Sequence, residues 1–429
     1  MNIDSKSFTD PRSELPAKFS PFYRTDILKY QNPELRRSRK GRLYAIPSNK
    51  SMLLLIDNRL SDLVAYEAQR FAYDLEDDGW YVVAKVYDGG DIWAVRDEIA
   101  AMANDSALPP LDGVELIGQI PVPRYLSRGP GEPNWNGYLV YPNDGWPVPP
   151  SLCMYFYGNV KAEHGYTRNG TDLVYHVKTA GKDNWTPDIW VSVIRGHWLP
   201  VLGGGMGTNG NPDVEAGIIR KYLDKNHSVR TGEIPEYRTG IVACADNVGQ
   251  ADDFQKCLQA IIGGEVEKYF GGTLPEAVWR GHYDWACFSS HGGPHGFLNV
   301  HADAFYNNPC DIKFADVFAC KTGNFDLGRY EAADCVSQSM AMSPRNSIVT
   351  VFSGSDYNAG MGDLREYVEP IKKGNTVGKA YSDRERIKWF AGWDKHQCDG
   401  ERGIKWPIEP FGAVIFGDGS FCYRQAESE

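Results

Sequence analysis

The chain has 429 residues, 42% of them apolar and 24% charged, with a formal net charge of −11. That length allows two or three compact units around a large core, and the composition is that of an ordinary globular protein. The acidic balance argues against a nucleic-acid partner, whose phosphates are gripped by Lys and Arg, and no apolar run reaches the ~18 residues of a membrane span.

Residues 1–45 are rich in Pro, Ser and charge and read as an N-terminal arm or linker. Within it, "LRRSRKGR" (35–42) is a basic knot that reads as a solvated stretch. The opening "MNIDSKSFTDPRSELPAKF" lacks the apolar core of a signal peptide. Nine cysteines, an odd number, are scattered without the spacing of a disulfide scaffold. Both features predict a reducing, cytoplasmic setting for the chain as written.

Regular structure begins with "SMLLLID", a short apolar run that reads as a buried strand. A helix is expected next, with Leu63, Tyr66, Phe71 and Leu75 on one face and Gly79 as its stop. "WYVVAKVYD" reads as a strand, "DIWAVRDEIAAM" as a helix with Ile92, Val95, Ile99 and Met102 inward, and "GVELIG" as a third strand. This alternation predicts right-handed crossovers and a parallel sheet covered on both faces. Residues 120–185 read as long loops, "PDIWVSVI" as a strand, and Val214 to Asp224 as a helix. These elements define an N-terminal α/β subdomain, 46–235.

A second series, 236–429, repeats the alternation. "TGIVACAD" reads as strand, "DDFQKCLQAII" as helix, "WACFSS" and "ADVFAC" as strands, and "YEAADCVSQSMAM" as helix. "SIVTVFSGS" follows as strand, "TVGKAYSDRERIKWF" as helix and "GAVIFGD" as a final strand. The fold class expected is α/β, with two side-by-side subdomains built on mainly parallel sheets.

Ligands in open parallel sheets gather beyond the carboxyl ends of the strands. Three strands of the second unit end there on Asp246, His291 and Cys320. If they are neighbours, an imidazole can take the proton of a thiol while a carboxylate orients the ring. The 29 residues from His291 to Cys320 suffice for one crossover. Gly292 and Gly293 permit a tight turn with an open amide, and Gly323 keeps the approach to sulfur clear. The other eight cysteines, at 153, 244, 257, 287, 310, 335, 398 and 422, read as core fillers. A zinc site from His291, His295, His301 and Cys310 is the metal alternative, but its spacing fits no common zinc motif; no metal is expected.

These residues resemble the caspase-like cysteine peptidases, in which His-Gly ends one strand and Cys ends the next. More narrowly, the chain is similar to the catalytic domain of the gingipain family. "VELIGQIPVPRY", "DLVYHV", "PDIWVSVIRG", "SSHGGPHGF", "DVFACKTGNF" and "VIFGDGSFCYR" carry the likeness in the family's order, across roughly residues 50 to 425. "VSVIRG" departs from the family's Ile-Gly-Arg by losing the glycine while keeping Arg195. By position, the resemblance implies Cys320 as nucleophile, His291 as general base and acid, Gly292 as a backbone oxyanion donor and Asp246 as the acid that orients the histidine. It also implies Asp252 and Asp253 near a pocket for Arg or Lys, with Tyr357 on its wall. The catalytic subdomain is then caspase-like.

The resemblance implies a cysteine endopeptidase acting on protein or peptide substrates, with no cofactor for the chemistry. Relatives carry calcium in surface loops and are commonly secreted, so a structural calcium and export are implied too. A non-catalytic binding module of the same fold, and a dyad hydrolase acting on other amides or thioesters, are the alternatives.

Overall fold

Eleven strands from both halves of the chain hydrogen-bond into one sheet. The computed structural model describes residues 28–29, 50–125, 151–152, 154–160, 166–169, 172–175, 188–196, 199, 211–245, 248–325, 335–354, 365–383 and 413–423.

The first half contributes β1 (Leu28–Lys29), β2 (Ser51–Asp57), α1 (Asn58–Ser61), α2 (Ala65–Asp77), β3 (Tyr81–Tyr87), α3 (Ile92–Ala103) and β4 (Leu111–Ile117). Every residue of β2 and β4 is buried, Asp112 and Glu115 of β4 included, as strands covered on both faces require. Asp91 caps α3 by accepting from the amides of Trp93 and Ala94, at 3.0 and 3.1 Å. A side sheet follows, made of β5 (Arg124–Tyr125), β6 (Ser151–Leu152), β7 (Tyr166–Asn169) and β8 (Asp172–Tyr175), with α4 (Tyr155–Gly158) within that stretch. β9 (Trp190–Ile194) then returns to the main sheet, and α5 (Pro212–Thr231) crosses over. α5 starts on the Asn211 cap with Pro212 in its first turn, and stops on Gly232 in the left-handed region.

The second half contributes β10 (Thr239–Cys244), α6 (Val248–Ile262), β11 (Glu265–Phe270), α7 (Ala277–Arg280) and β12 (His282–Ser289). A small antiparallel sheet comes next: β13 (Gly292–Gly293), β14 (Gly296–Phe297) and β15 (Val300–His301). Then come α8 (Ala304–Asn307), β16 (Asp311–Phe318), α9 (Val336–Met342), β17 (Thr350–Gly354), α10 (Arg365–Lys372) and β18 (Ala413–Gly417). Residues 377–383 are also helical; the rest of the helix expected over "TVGKAYSDRERIKWF" lies outside the described residues. Among the described residues no helix is long and apolar enough to cross a membrane.

The strand order is β1-β3-β2-β4-β9-β18-β17-β16-β12-β10-β11. From β3 to β18 all neighbours are parallel, and from β17 to β11 they are parallel again. β17 and β18 meet antiparallel. The two halves therefore point in opposite directions, and their carboxyl ends open at opposite edges of one sheet. The last strand of the chain is the seam, parallel to β9 of the first half and antiparallel to β17 of the second.

Charged groups lock this seam. Asp418, fully buried just past β18, accepts from Asn226 at 2.8 Å, from the Ser420 amide at 2.8 Å and from Arg230. Arg230 also pairs with Asp78, donates to Ser420 Oγ at 2.5 Å, and lies 4.2 Å over the Phe421 ring. Burial pushes the Asp418 carboxyl up, but Arg230 and the hydrogen bonds outweigh it and hold the group below the usual carboxylate range.

Candidate functional site

β12 and β16 run side by side, with Ser289 opposite Phe318 in the last pair of their ladder. The Ser290 amide extends the pairing by donating to the Phe318 carbonyl at 3.2 Å. His291 and Cys320 each come two residues after that pair. They leave the sheet at the same edge, on adjacent strands whose spacing is ~4.8 Å. His291 is exposed and Cys320 half-buried. The other six described cysteines, at 244, 257, 287, 310, 335 and 422, are buried, and burial pushes the Cys310 thiol well up. Exposure thus singles out one thiol. Cys153 and Cys398 lie outside the described residues.

The turn after Cys320 is held from several sides. Lys321 occupies the left-handed region at φ 59°, uncommon for a residue with a side chain. The Thr322 hydroxyl donates to the Ala319 carbonyl at 2.9 Å and shares a 2.7 Å hydrogen bond with Ser353 at the end of β17. The Ser337 hydroxyl donates to the same Ser353 oxygen at 2.8 Å. The Gly323 amide donates to the Gly354 carbonyl at 2.7 Å. The start of α9 adds two donors to the Thr322 carbonyl, the Cys335 thiol at 2.9 Å and the Ser337 amide at 3.2 Å. It reaches the histidine loop as well, where the Val336 amide donates to the Pro294 carbonyl at 2.8 Å. One helix start therefore fastens both the His291 and the Cys320 loops. Sequence reasoning missed Thr322, Cys335, Ser337 and Ser353 as a group; the run of small hydroxyl residues in "CVSQS" was the available signal.

Gly292 is pressed against this turn. A Cβ there would lie 2.7 Å from the Ala319 Cβ and 3.1 Å from Thr322 Cγ2. Gly293 has open space around it, and the two glycines form β13, paired back onto Gly296 and Phe297. Arg195 braces the far side. Its carbonyl accepts from Gln338 at 2.7 Å, and its guanidinium lies 5.2 Å from the Phe325 ring, five residues past Cys320.

Asp246 and Tyr357 lie outside the described residues. The chain before Asp246 is still held beside β12, since the Ala245 amide donates to the Ser289 carbonyl at 2.8 Å. Asp252 and Asp253 sit on α6 away from any enclosure. Asp252 is ion-paired with Lys268 of β11, and that hydrogen bond and charge hold its carboxyl below the usual range; Asp253 is exposed. As placed, neither is the buried acid expected of a pocket for Arg or Lys. The zinc alternative comes apart in space. Cys310 precedes the start of β16 whereas His291 follows the end of β12, so the eight-residue strand, ~26 Å long, separates them. Among the described residues no three His, Cys, Asp or Glu side chains gather as metal ligands.

The architecture is mixed α/β, with a large and mostly parallel sheet. The chain is similar to a solved structure described as that of a protease, with 11% identity and a TM-score of 0.58, covering 90% of this chain and 81% of that one. It is similar also to the Arg-specific cysteine proteinase gingipain R, with 13% identity and a TM-score of 0.55, covering 89% of this chain and 80% of that one. At these identities the likeness is one of fold. No protein-family model and no curated protein matches the sequence.

Proposed function

We propose that the chain is a cysteine endopeptidase in which Cys320 is the nucleophile and His291 the general base and acid. The observation that supports this most is the register of β12 and β16, which delivers an exposed imidazole and the one accessible described thiol to the same sheet edge. In this reading the imidazole takes the thiol proton and the sulfur bonds to the peptide carbonyl carbon. The imidazolium then gives its proton to the leaving amine as the C–N bond breaks, and water releases the acyl group by the reverse route. The backbone amides at Gly292 and Cys320 serve as oxyanion donors, each worth about 3 kcal/mol of barrier. The reaction needs no cofactor.

A preference for Arg or Lys before the cut bond is not assigned to Asp252 or Asp253, because Asp252 is engaged by Lys268 at the surface. Cleavage profiling with a peptide library tests the proposal. Turnover by the wild type and none by Cys320→Ala is the expected result; equal turnover by both removes the mechanism.

A further inference from the structure

Among the residues whose exposure is described, three large hydrophobic side chains are exposed: Val248 (51%), Tyr269 (36%) and Phe270 (55%). All three come from α6 and β11, next to the strands that carry the candidate site. Tyr269 is turned to one face of β11, where its hydroxyl donates to Glu267 Oε2 at 2.6 Å and Tyr283 donates to the other Glu267 oxygen. Val266, Lys268 and Phe270 share the opposite face by the period-two alternation of a strand.

Two contacts fix how α6 lies on that face. Gln255 donates to the Val266 carbonyl at 2.7 Å, and Asp252 pairs with Lys268. Going back along the helix therefore corresponds to going forward along the strand. Four residues back from Asp252 is ~6.0 Å of helix, and two residues on from Lys268 is ~6.6 Å of strand. Val248 and Phe270 thus stand level with each other at the carboxyl edge, as an exposed apolar pair.

That pair lies in the row of the candidate site. Phe270 is opposite Cys244, Cys244 opposite Ser289, and Ser289 opposite Phe318. Three strand spacings, ~14 Å, separate Phe270 from the Cys320 strand, which an extended chain at ~3.3 Å per residue covers in about four residues. A Cβ added to Gly271 or Gly272, just beyond Phe270, would meet nothing within 4 Å, so the rim there is open.

We propose that Val248 and Phe270 form an apolar subsite for a polypeptide substrate, receiving a hydrophobic side chain about four residues from the bond cut at Cys320. The inference rests on the peptidase reading and deepens it. Covering an aliphatic or aromatic side chain there gives a preference of about tenfold in kcat/KM over a polar residue at the same position.

Profiling peptides varied at the third to fifth positions on either side of the cut, with wild type and a Val248→Ser/Phe270→Ser double variant, tests it. Both side chains are more than half exposed, so the double variant keeps the fold. The wild type is expected to favour Leu, Ile or Phe over Ser or Asp about tenfold at one such position. In the double variant that ratio falls to about one, and Phe270→Leu restores it. Wild-type cleavage with no apolar preference, or a ratio that persists in the double variant, overturns the subsite while leaving the peptidase reading intact. No cleavage of any peptide by the wild type removes that reading, and the subsite with it.

Discussion

A methyl group on Gly292 would stand 2.7 Å from the Cβ of Ala319, the residue just before Cys320. Real Cβ atoms do not approach so closely, so the histidine loop rests on the cysteine turn only because position 292 has no side chain. Gly292→Ala is expected to push the two loops apart and cut peptide turnover at least tenfold. Gly293→Ala, with nothing within 4 Å of the new methyl, is expected to leave turnover within twofold. Steady-state kinetics on the pair checks this, and equal effects would mean the contact has no bearing on activity.

The nucleophile assignment gives a second set of outcomes. Cys320→Ala and His291→Ala are each expected to abolish turnover while shifting Tm by no more than about 2 °C, since one group is half-buried and the other exposed. Cys287 is fully buried inside β12. Cys287→Ala leaves a small cavity and is expected to lower stability by about 1 kcal/mol, with activity per folded molecule retained. Thermal melts beside active-site titration with iodoacetamide separate the two kinds of loss.

The hydroxyl chain under Cys320 supplies a third. Thr322→Val keeps the shape of the side chain but removes the bonds to the Ala319 carbonyl and to Ser353, both in buried surroundings. Leaving those partners short of a hydrogen bond costs about 1–3 kcal/mol. The expected result is a lower urea midpoint together with reduced kcat, because the same chain sets the geometry of the turn. A stability loss without any change in kcat would show that Thr322 holds the fold but not the sulfur.

Some of this was legible in the sequence for definite reasons. "SMLLLID" and "GVELIG" are strands buried on both faces, so apolar residues fill consecutive positions in each. His291 and Cys320 follow runs of the same kind, which placed both at strand exits. The apolar spacing predicts α5 over 214–224, whereas the helix spans Pro212–Thr231. Its buried face includes Lys225, Asn226 and Arg230, and apolar periodicity cannot register polar or charged residues that face inward. β11 was missed because Val266 is its only buried residue, and with it went Lys268, the partner that holds Asp252 at the surface. The seam was hidden for another reason. Which strands sit side by side, and with which polarity, depends on contacts between residues far apart in the chain, as with Asn226 and Asp418.

The far end of α9 carries the last prediction. Lys225 of α5 is buried and donates to the Ala341 and Ser343 carbonyls, at 2.7 and 3.1 Å, and to Asn346 Oδ1 at 3.1 Å. It thereby anchors the helix whose opposite end fastens both site loops. Burial pulls the ammonium down from 10.5 to about 7. Between those values the unfolded chain binds a proton that the folded chain does not. This group's contribution to stability is therefore complete above about pH 10.5 and is lost as pH falls toward 7, with a slope of at most about 1.4 kcal/mol per pH unit. Lys225→Met removes the titration and leaves buried acceptors among the Ala341 and Ser343 carbonyls and Asn346 Oδ1 short of a donor, a cost of about 1–3 kcal/mol. Urea unfolding of both proteins at pH 7, 8 and 9 is expected to show the variant less stable throughout. The gap should widen by about 1 kcal/mol per unit as pH rises. A gap that stays constant would mean that Lys225 keeps its proton in the folded protein across this range, held there by its three acceptors.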